Sequence, residues 1–212
     1  MGRDLTLLMH LKLRLKVFKR LLRPSLLLWV GQDFNLPAPQ RVKTRVLQRN
    51  AFVEGNWIET GTYLGDTTRF LAKTFPSAIV TSLEPDFTLF SFNKSRLSKF
   101  HNIKLINSAS ENSLSDLVSN ETSTVNFWLD GHFSGDITFK GQIHSPILEE
   151  LNIIERNISR LKVCVFIDDI RDFTGDEQTG YPSKDKLVDW ANRNNCEWHI
   201  EMDIFIAKSR VW

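Results

Sequence analysis

Four carboxylates stand at the ends of three stretches rich in apolar and β-branched residues: Glu84 after AIVTSL, Asp130 after VNFWL, and Asp168 with Asp169 after VCVFI. Two kinds of chemistry suit them. An acid that closes the second strand of a nucleotide-binding βαβ unit accepts both hydroxyls of an unphosphorylated ribose, and Glu84 stands near the right distance beyond Glu59 for that role. Asp130, Asp168 and Asp169 offer hard oxygen ligands, suited to Mg²⁺ or a similar ion that keeps several waters. Two successive acids repel each other unless a cation is near, which argues for a metal at Asp168 and Asp169. Their other use is to cap strand ends or turns. His132, two residues beyond Asp130 in LDGHFSGD, titrates at about 6.5 when unperturbed and could serve as a general base in the same crevice. Lys140 and His144, in the loop before Pro146, could meet a substrate or stay solvated.

The element that must position Glu84 is WIETGTYLGDTTRFLAKTFPSAIVTSLE, residues 57–84. It reads as strand, glycine turn, helix and strand, with Trp57 to Glu59 ending the first strand, Thr67 to Phe75 helical and Ile79 to Leu83 a buried strand. Gly61 and Gly65 let the backbone turn sharply and approach a ligand with no Cβ in the way, over the amino end of the helix. The turn is ExGxxxG rather than GxGxxG, with Tyr63 where a dinucleotide fingerprint has a glycine.

The same alternation continues. Helices are expected near 40–50, 86–99, 111–118, 146–157 and 183–194, and strands at 103–106, 125–129, 163–167 and, as a closing pair, 198–207. This is an α/β pattern, Rossmann-like and doubly wound: a mainly parallel seven-stranded sheet with helices on both faces. In such a sheet the strand carboxyl ends face one crevice, so the four acids can converge there. Tyr181 and Trp190 could shape its variable part or serve as packing.

At 212 residues, with 42% hydrophobic and 25% charged residues, the chain can bury one sizeable core. A net charge of +2 gives no general argument for a nucleic-acid partner, and none is expected. Cys164 and Cys196 have no metal-ligand spacing and fit a reducing, cytoplasmic location. Residues 1–34 read as a helical appendage and 35–212 as the main domain, joined through Pro37 and Pro39. Leu8, Leu11, Leu15, Phe18 and Leu22 fall on one helical face, with Lys12, Lys16, Lys19, Arg20 and Arg23 beside them. Such a helix can lie peripherally on the anionic inner membrane surface, with SLLLWV adding an apolar anchor, or pack on the domain or on a second subunit. Both readings stay open, as do those of 40–50, whose arginines face solvent or form a lid.

ETGTYLGDTT, SLEPD, FWLDGHFSGDITFKG, SPILEEL and VFIDDIRDF resemble the motif series of class I S-adenosylmethionine-dependent methyltransferases, mostly uncharacterised small bacterial proteins. The turn and the acids after the fourth and fifth strands are also similar to metal-dependent O-methyltransferases acting on catechols and on sugars of natural products. The resemblance implies that Glu59, Gly61 and Gly65, with Thr62 and Thr67, hold the methionine end and backbone of the cofactor, and that Glu84 takes the ribose hydroxyls. It implies Mg²⁺ on Asp130, Asp168 and Asp169. His132 stands where the sugar enzymes carry an acidic base, so Asp130, His132 or a metal-bound water would take the proton. In the NSAS loop, 107–110, related sequences tend to have an acid for the adenine; Ser108 or Ser110 would have to substitute. The implied activity is divalent-metal-assisted O-methylation of a hydroxyl on a small molecule or carbohydrate. The competing reading is a binding protein that keeps the fold without turnover and is held to a membrane or partner by its first helix.

Overall fold

In the computed structural model, residues 9–18, 29, 36–130, 145–176 and 180–210 are described. The chain runs α1 (Gln40–Asn50), β1 (Asn56–Thr60), α2 (Asp66–Thr74), β2 (Val80–Leu83), α3 (Phe87–Arg96), β3 (Ile103–Ile106), α4 (Ser110–Asn120) and β4 (Thr124–Leu129). It continues with α5 (Ile147–Glu155), β5 (Lys162–Ile167), a 3-10 turn (Ile170–Asp172), α6 (Lys184–Arg193), β6 (Cys196–Glu201) and β7 (Ile204–Ser209). The seven strands form one sheet in the order β3-β2-β1-β4-β5-β7-β6. β1 to β5 pair in parallel. β7 runs antiparallel to both β5 and β6, which makes the sheet mixed. The reversal is local: Met202 and Asp203, with φ of 50° and 69°, form a two-residue hairpin turn that leaves no length for a crossover.

Successive side chains of a strand point to opposite faces, and here both faces are covered. Phe127, Val165 and Ile167 join Leu114 of α4, Leu151 of α5 and Trp190 of α6. Trp128, Cys164 and Phe166 join Val46 of α1 and Leu71 of α2 on the other side. Burial on both faces is why these strands read as unbroken apolar runs.

The register sets the site. Thr60 pairs with Leu83 and Leu129, and Leu129 pairs with Ile167. The next residue on each strand, namely Glu84, Gly61, Asp130 and Asp168 in the order β2-β1-β4-β5, therefore falls in one row at the carboxyl edge. Ladder bonds hold that row: Gly61 N–H donates to Leu83 O at 3.0 Å, Asp130 N–H to Thr60 O at 3.1 Å and Asp168 N–H to Leu129 O at 3.2 Å. Strands are spaced ~4.8 Å apart, so Glu84 and Asp168 are separated by roughly 14 Å along the edge.

Residues 9–18 are helical, and the face turned inward is that of Leu13 and Val17, not that of Leu11, Leu15 and Phe18. Leu13 and Val17 pack on Leu64, Leu89 and Phe92, and the His10 ring meets Phe92 edge-on at 5.7 Å. Leu11, Leu15 and Phe18 are 55%, 52% and 57% exposed. The pair Leu13 and Val17 obeys helical spacing too, and it faces an apolar patch on α3 that the sequence alone did not reveal. Trp29, in the run read as an anchor, is buried and its indole N–H donates to Leu36 O at 2.7 Å. No helix among the described residues is long and apolar enough to cross a membrane.

Candidate functional site

The glycine turn is built from three left-handed residues, Gly61, Tyr63 and Gly65, with φ of 90°, 47° and 71°. Tyr63 adopts the conformation that a glycine takes easily and that costs other residues about 1–2 kcal/mol. Two bonds hold it there: its N–H donates to Glu84 Oε2 at 2.7 Å, and its carbonyl accepts from Asn93 Nδ2 at 2.6 Å. The other Glu84 oxygen accepts from Asp86 N–H at 3.0 Å. Glu84 thus caps β2 and fastens the turn to it. Burial pushes its carboxyl up to about 7, against the pull of the Asp86 and Tyr63 amides. Gly65 has a packing reason to be glycine, because a Cβ there would lie 2.4 Å from Asn93 Oδ1 on α3.

Beneath the turn, Glu59 is fully buried. Its Oε2 accepts from the hydroxyls of Thr68 and Ser82, both at 2.5 Å, while Oε1 is buried without a hydrogen bond. Burial pushes this carboxyl up to about 8; the Ser82 and Thr68 hydroxyls oppose that, and the charges of Asp130 and Glu84 reinforce it. The remaining cofactor candidates have protein partners. Thr62 bonds the Ser82 hydroxyl at 2.6 Å, Thr67 accepts from Gln40 Nε2 at 2.9 Å, and Ser108 accepts from Ser113 at 2.7 Å. Ser110 is buried at the start of α4.

The acids after β4 and β5 do converge: one carboxylate oxygen from each of Asp130, Asp168 and Asp169 lies within 4.8 Å of the others. Sequence reasoning did not foresee what lies among them. Lys43, on the inner face of α1 with Val46 and Leu47, is buried and its Nζ donates to Asp168 Oδ2 and, at 3.0 Å, to Asp169 Oδ1. Burial alone would lower the ammonium's pKa, but the charges of Asp168, Asp130 and Asp169 outweigh it and hold the group above its ordinary range. Asp169, left-handed at φ 54°, also accepts from Arg171 at 2.8 Å. Arg171 in turn bonds Asp203 at the tip of the β6–β7 hairpin. Burial pushes Asp168 up, with Lys43 opposing. A divalent ion would have to share Asp168 and Asp169 with Lys43; Asp168 Oδ1 is buried without a hydrogen bond, but an ammonium already lies among these acids, so the residues as arranged do not fit the Mg²⁺ that the resemblance implies.

Glu150, on α5, is the second residue missed. It is buried, both carboxylate oxygens lack a hydrogen bond, and burial pushes it up to about 7 while the nearby Ser110 and Thr60 hydroxyls pull the other way. Tyr181 packs against Phe173 with ring centroids 5.0 Å apart and planes tilted by 54°; burial and the charges of Asp172, Asp169 and Asp130 raise its hydroxyl pKa. Trp190 is a core residue whose indole donates to Leu151 O at 3.1 Å. His132, Lys140 and His144 lie outside the described residues.

No family model and no curated protein matches the sequence. Solved structures match its shape. A precorrin-6y C5,15-methyltransferase from Geobacter metallireducens GS-15 aligns with a TM-score of 0.52 at 14% identity, over 83% of this chain and 92% of that one. The 23S rRNA methyltransferase ErmE aligns with a TM-score of 0.52 at 16% identity, over 84% and 70%. The chain has a methyltransferase fold. A chain of the fibrillarin/Nop5p complex also aligns, with a TM-score of 0.50 at 12% identity over 81% of each chain. At such identities the likeness is one of fold, and it does not carry a substrate across. Within this methyltransferase fold the strand order reverses between β1 and β4, and Gly61 and Asp130 flank that switch point.

Proposed function

We propose that the chain is an S-adenosylmethionine-dependent methyltransferase that methylates a hydroxyl on a small molecule or carbohydrate. The observation that carries this reading is the pair of acids on either side of the glycine turn: Glu84 fastened to its backbone, and Glu59 with a buried oxygen that lacks a donor. Glu59 Oε1 suits a cationic amino group, and Glu84 suits the two hydroxyls of a ribose. Glu150, beside Ser110, supplies the carboxylate that the NSAS loop lacks for an adenine. When bound, the cofactor brings a methyl group already activated on sulfonium. The chain then has to hold the acceptor oxygen in line above β4 and take its proton. Asp130, directly after β4, is the base of this reading, with His132, two residues further along the sequence, as a second. Mg²⁺ is not part of this reading, because Lys43 already meets two of the three acids.

The exposed Leu11, Leu15 and Phe18, with the exposed Lys12 and Lys16 beside them, support peripheral contact with an anionic membrane surface. The catalytic reading is tested by calorimetry with S-adenosylmethionine, followed by S-adenosylhomocysteine release with a panel of hydroxyl acceptors. Binding that is lost in Glu84→Ala is expected; equal binding by both proteins refutes the cofactor placement.

A further inference from the structure

We infer that Lys43 is the resident cation of the acid cluster, an ammonium carried on α1 that takes the place of a divalent ion among Asp130, Asp168 and Asp169. Three observations lead there. First, α1 points Lys43 inward alone among its basic residues: Arg41, Arg45 and Arg49 are exposed, while Lys43 shares the buried face with Val46 and Leu47. Second, the lysine Nζ bonds Asp168 and Asp169 directly, and the side chains of Lys43 and Asp168 are 8% and 1% exposed. A buried charge is tolerated when it is paired, and removing one partner from such a pair is strongly unfavourable. Third, Arg171 pairs with Asp169 and Asp203 on the outer side, so two cations of this chain, one on each flank, already stand against these acids.

An ammonium has three N–H groups. Asp168 and Asp169 take two, and the third is left for an acceptor oxygen. A fixed ammonium there stabilises negative charge developing on that oxygen, which is the service a metal would otherwise perform. That part rests on the methyltransferase reading; the exclusion of metal does not.

The test is Mn²⁺ titration of the full chain followed by electron paramagnetic resonance, on wild type, Lys43→Ala and Lys43→Ala with Asp168→Asn. Wild type is expected to bind no stoichiometric Mn²⁺. Lys43→Ala is expected to bind one ion per chain at least roughly tenfold more tightly than wild type, and the added Asp168→Asn to abolish that gain. Stoichiometric Mn²⁺ on wild type overturns the inference, as does a folded Lys43→Ala protein that binds no better than wild type. If Lys43→Ala does not fold, the wild-type titration decides alone. Calorimetry with S-adenosylmethionine on the same wild-type sample separates the two claims. Cofactor binding together with tight Mn²⁺ sinks only the lysine; no cofactor binding sinks the methyltransferase reading and leaves the metal result standing.

Discussion

Cofactor affinity should depend on pH through Glu84, and the size of the effect follows from its surroundings. Burial raises this carboxyl to about 7 in the unliganded chain. Two ribose hydroxyls can both donate to an ionised carboxylate, whereas protonation converts one acceptor into a donor. If only the ionised form binds, the apparent Kd scales as 1 + 10^(7 − pH). It is then about elevenfold weaker at pH 6 and about 1.1-fold weaker at pH 8, a ratio of roughly tenfold or about 1.4 kcal/mol. Glu59, raised to about 8, adds its own dependence if an amino group binds it. The prediction therefore concerns the difference between two proteins: Glu84→Gln should bind more weakly overall and lose about tenfold of the wild-type pH dependence between pH 6 and 8. Isothermal titration calorimetry at three pH values measures this, and buffers of different ionisation enthalpy report the released proton. A Glu84→Gln protein that keeps the whole wild-type slope, or a wild type whose affinity is flat across the range, would refute the argument.

Glu150 gives a stability prediction of the opposite pH sense. Its raised folded pKa means the folded chain keeps a proton that the unfolded chain has lost, so stability should fall as pH rises from about 4.5 to about 7. Glu150→Gln should remove that loss and gain roughly 3 kcal/mol over wild type at pH 8, with little change near pH 4.5. Urea unfolding at the two pH values checks it, and parallel pH profiles for the two proteins would contradict it. Gly65→Ala should lower the melting temperature through a left-handed backbone costing roughly 1–2 kcal/mol and a Cβ pressed on Asn93; an unchanged melting temperature would count against the packing role. Leu15→Glu with Phe18→Glu should reduce flotation with anionic vesicles while leaving calorimetric cofactor binding intact, and undiminished flotation would rule out this helix face as the contact.

The sheet was legible because its strands are apolar on both sides and bounded by turns. Every strand from Trp57 to Ile167 was placed within a residue or so, and the acids after Leu83, Leu129 and Ile167 were expected at one edge. The closing pair was legible at 198–207, but not that its second strand, β7, would lie between β5 and β6. Lys43 could have been found: Arg41, Arg45 and Arg49 recur every four residues and mark the solvent side, leaving Lys43 on the side of Val46 and Leu47. So could Glu150. Both Glu149 and Glu150 look like ordinary acids in a first helical turn, but the spacing of Ile147, Leu151 and Ile154 puts Glu150 on the buried side and Glu149 on the exposed one. The first helix carries leucines on several of its faces, so periodicity alone could not choose which one meets the domain.

Asp203 sits in the far hairpin, yet it receives both the backbone and the guanidinium of Arg171, which also bonds Asp169 and Asp172. The last two strands therefore act as a tether on the acid edge as well as closing the sheet. Inserting even one residue between Met202 and Asp203 would slacken that tether, free Arg171 to swing away, and shift electrostatic balance onto Lys43.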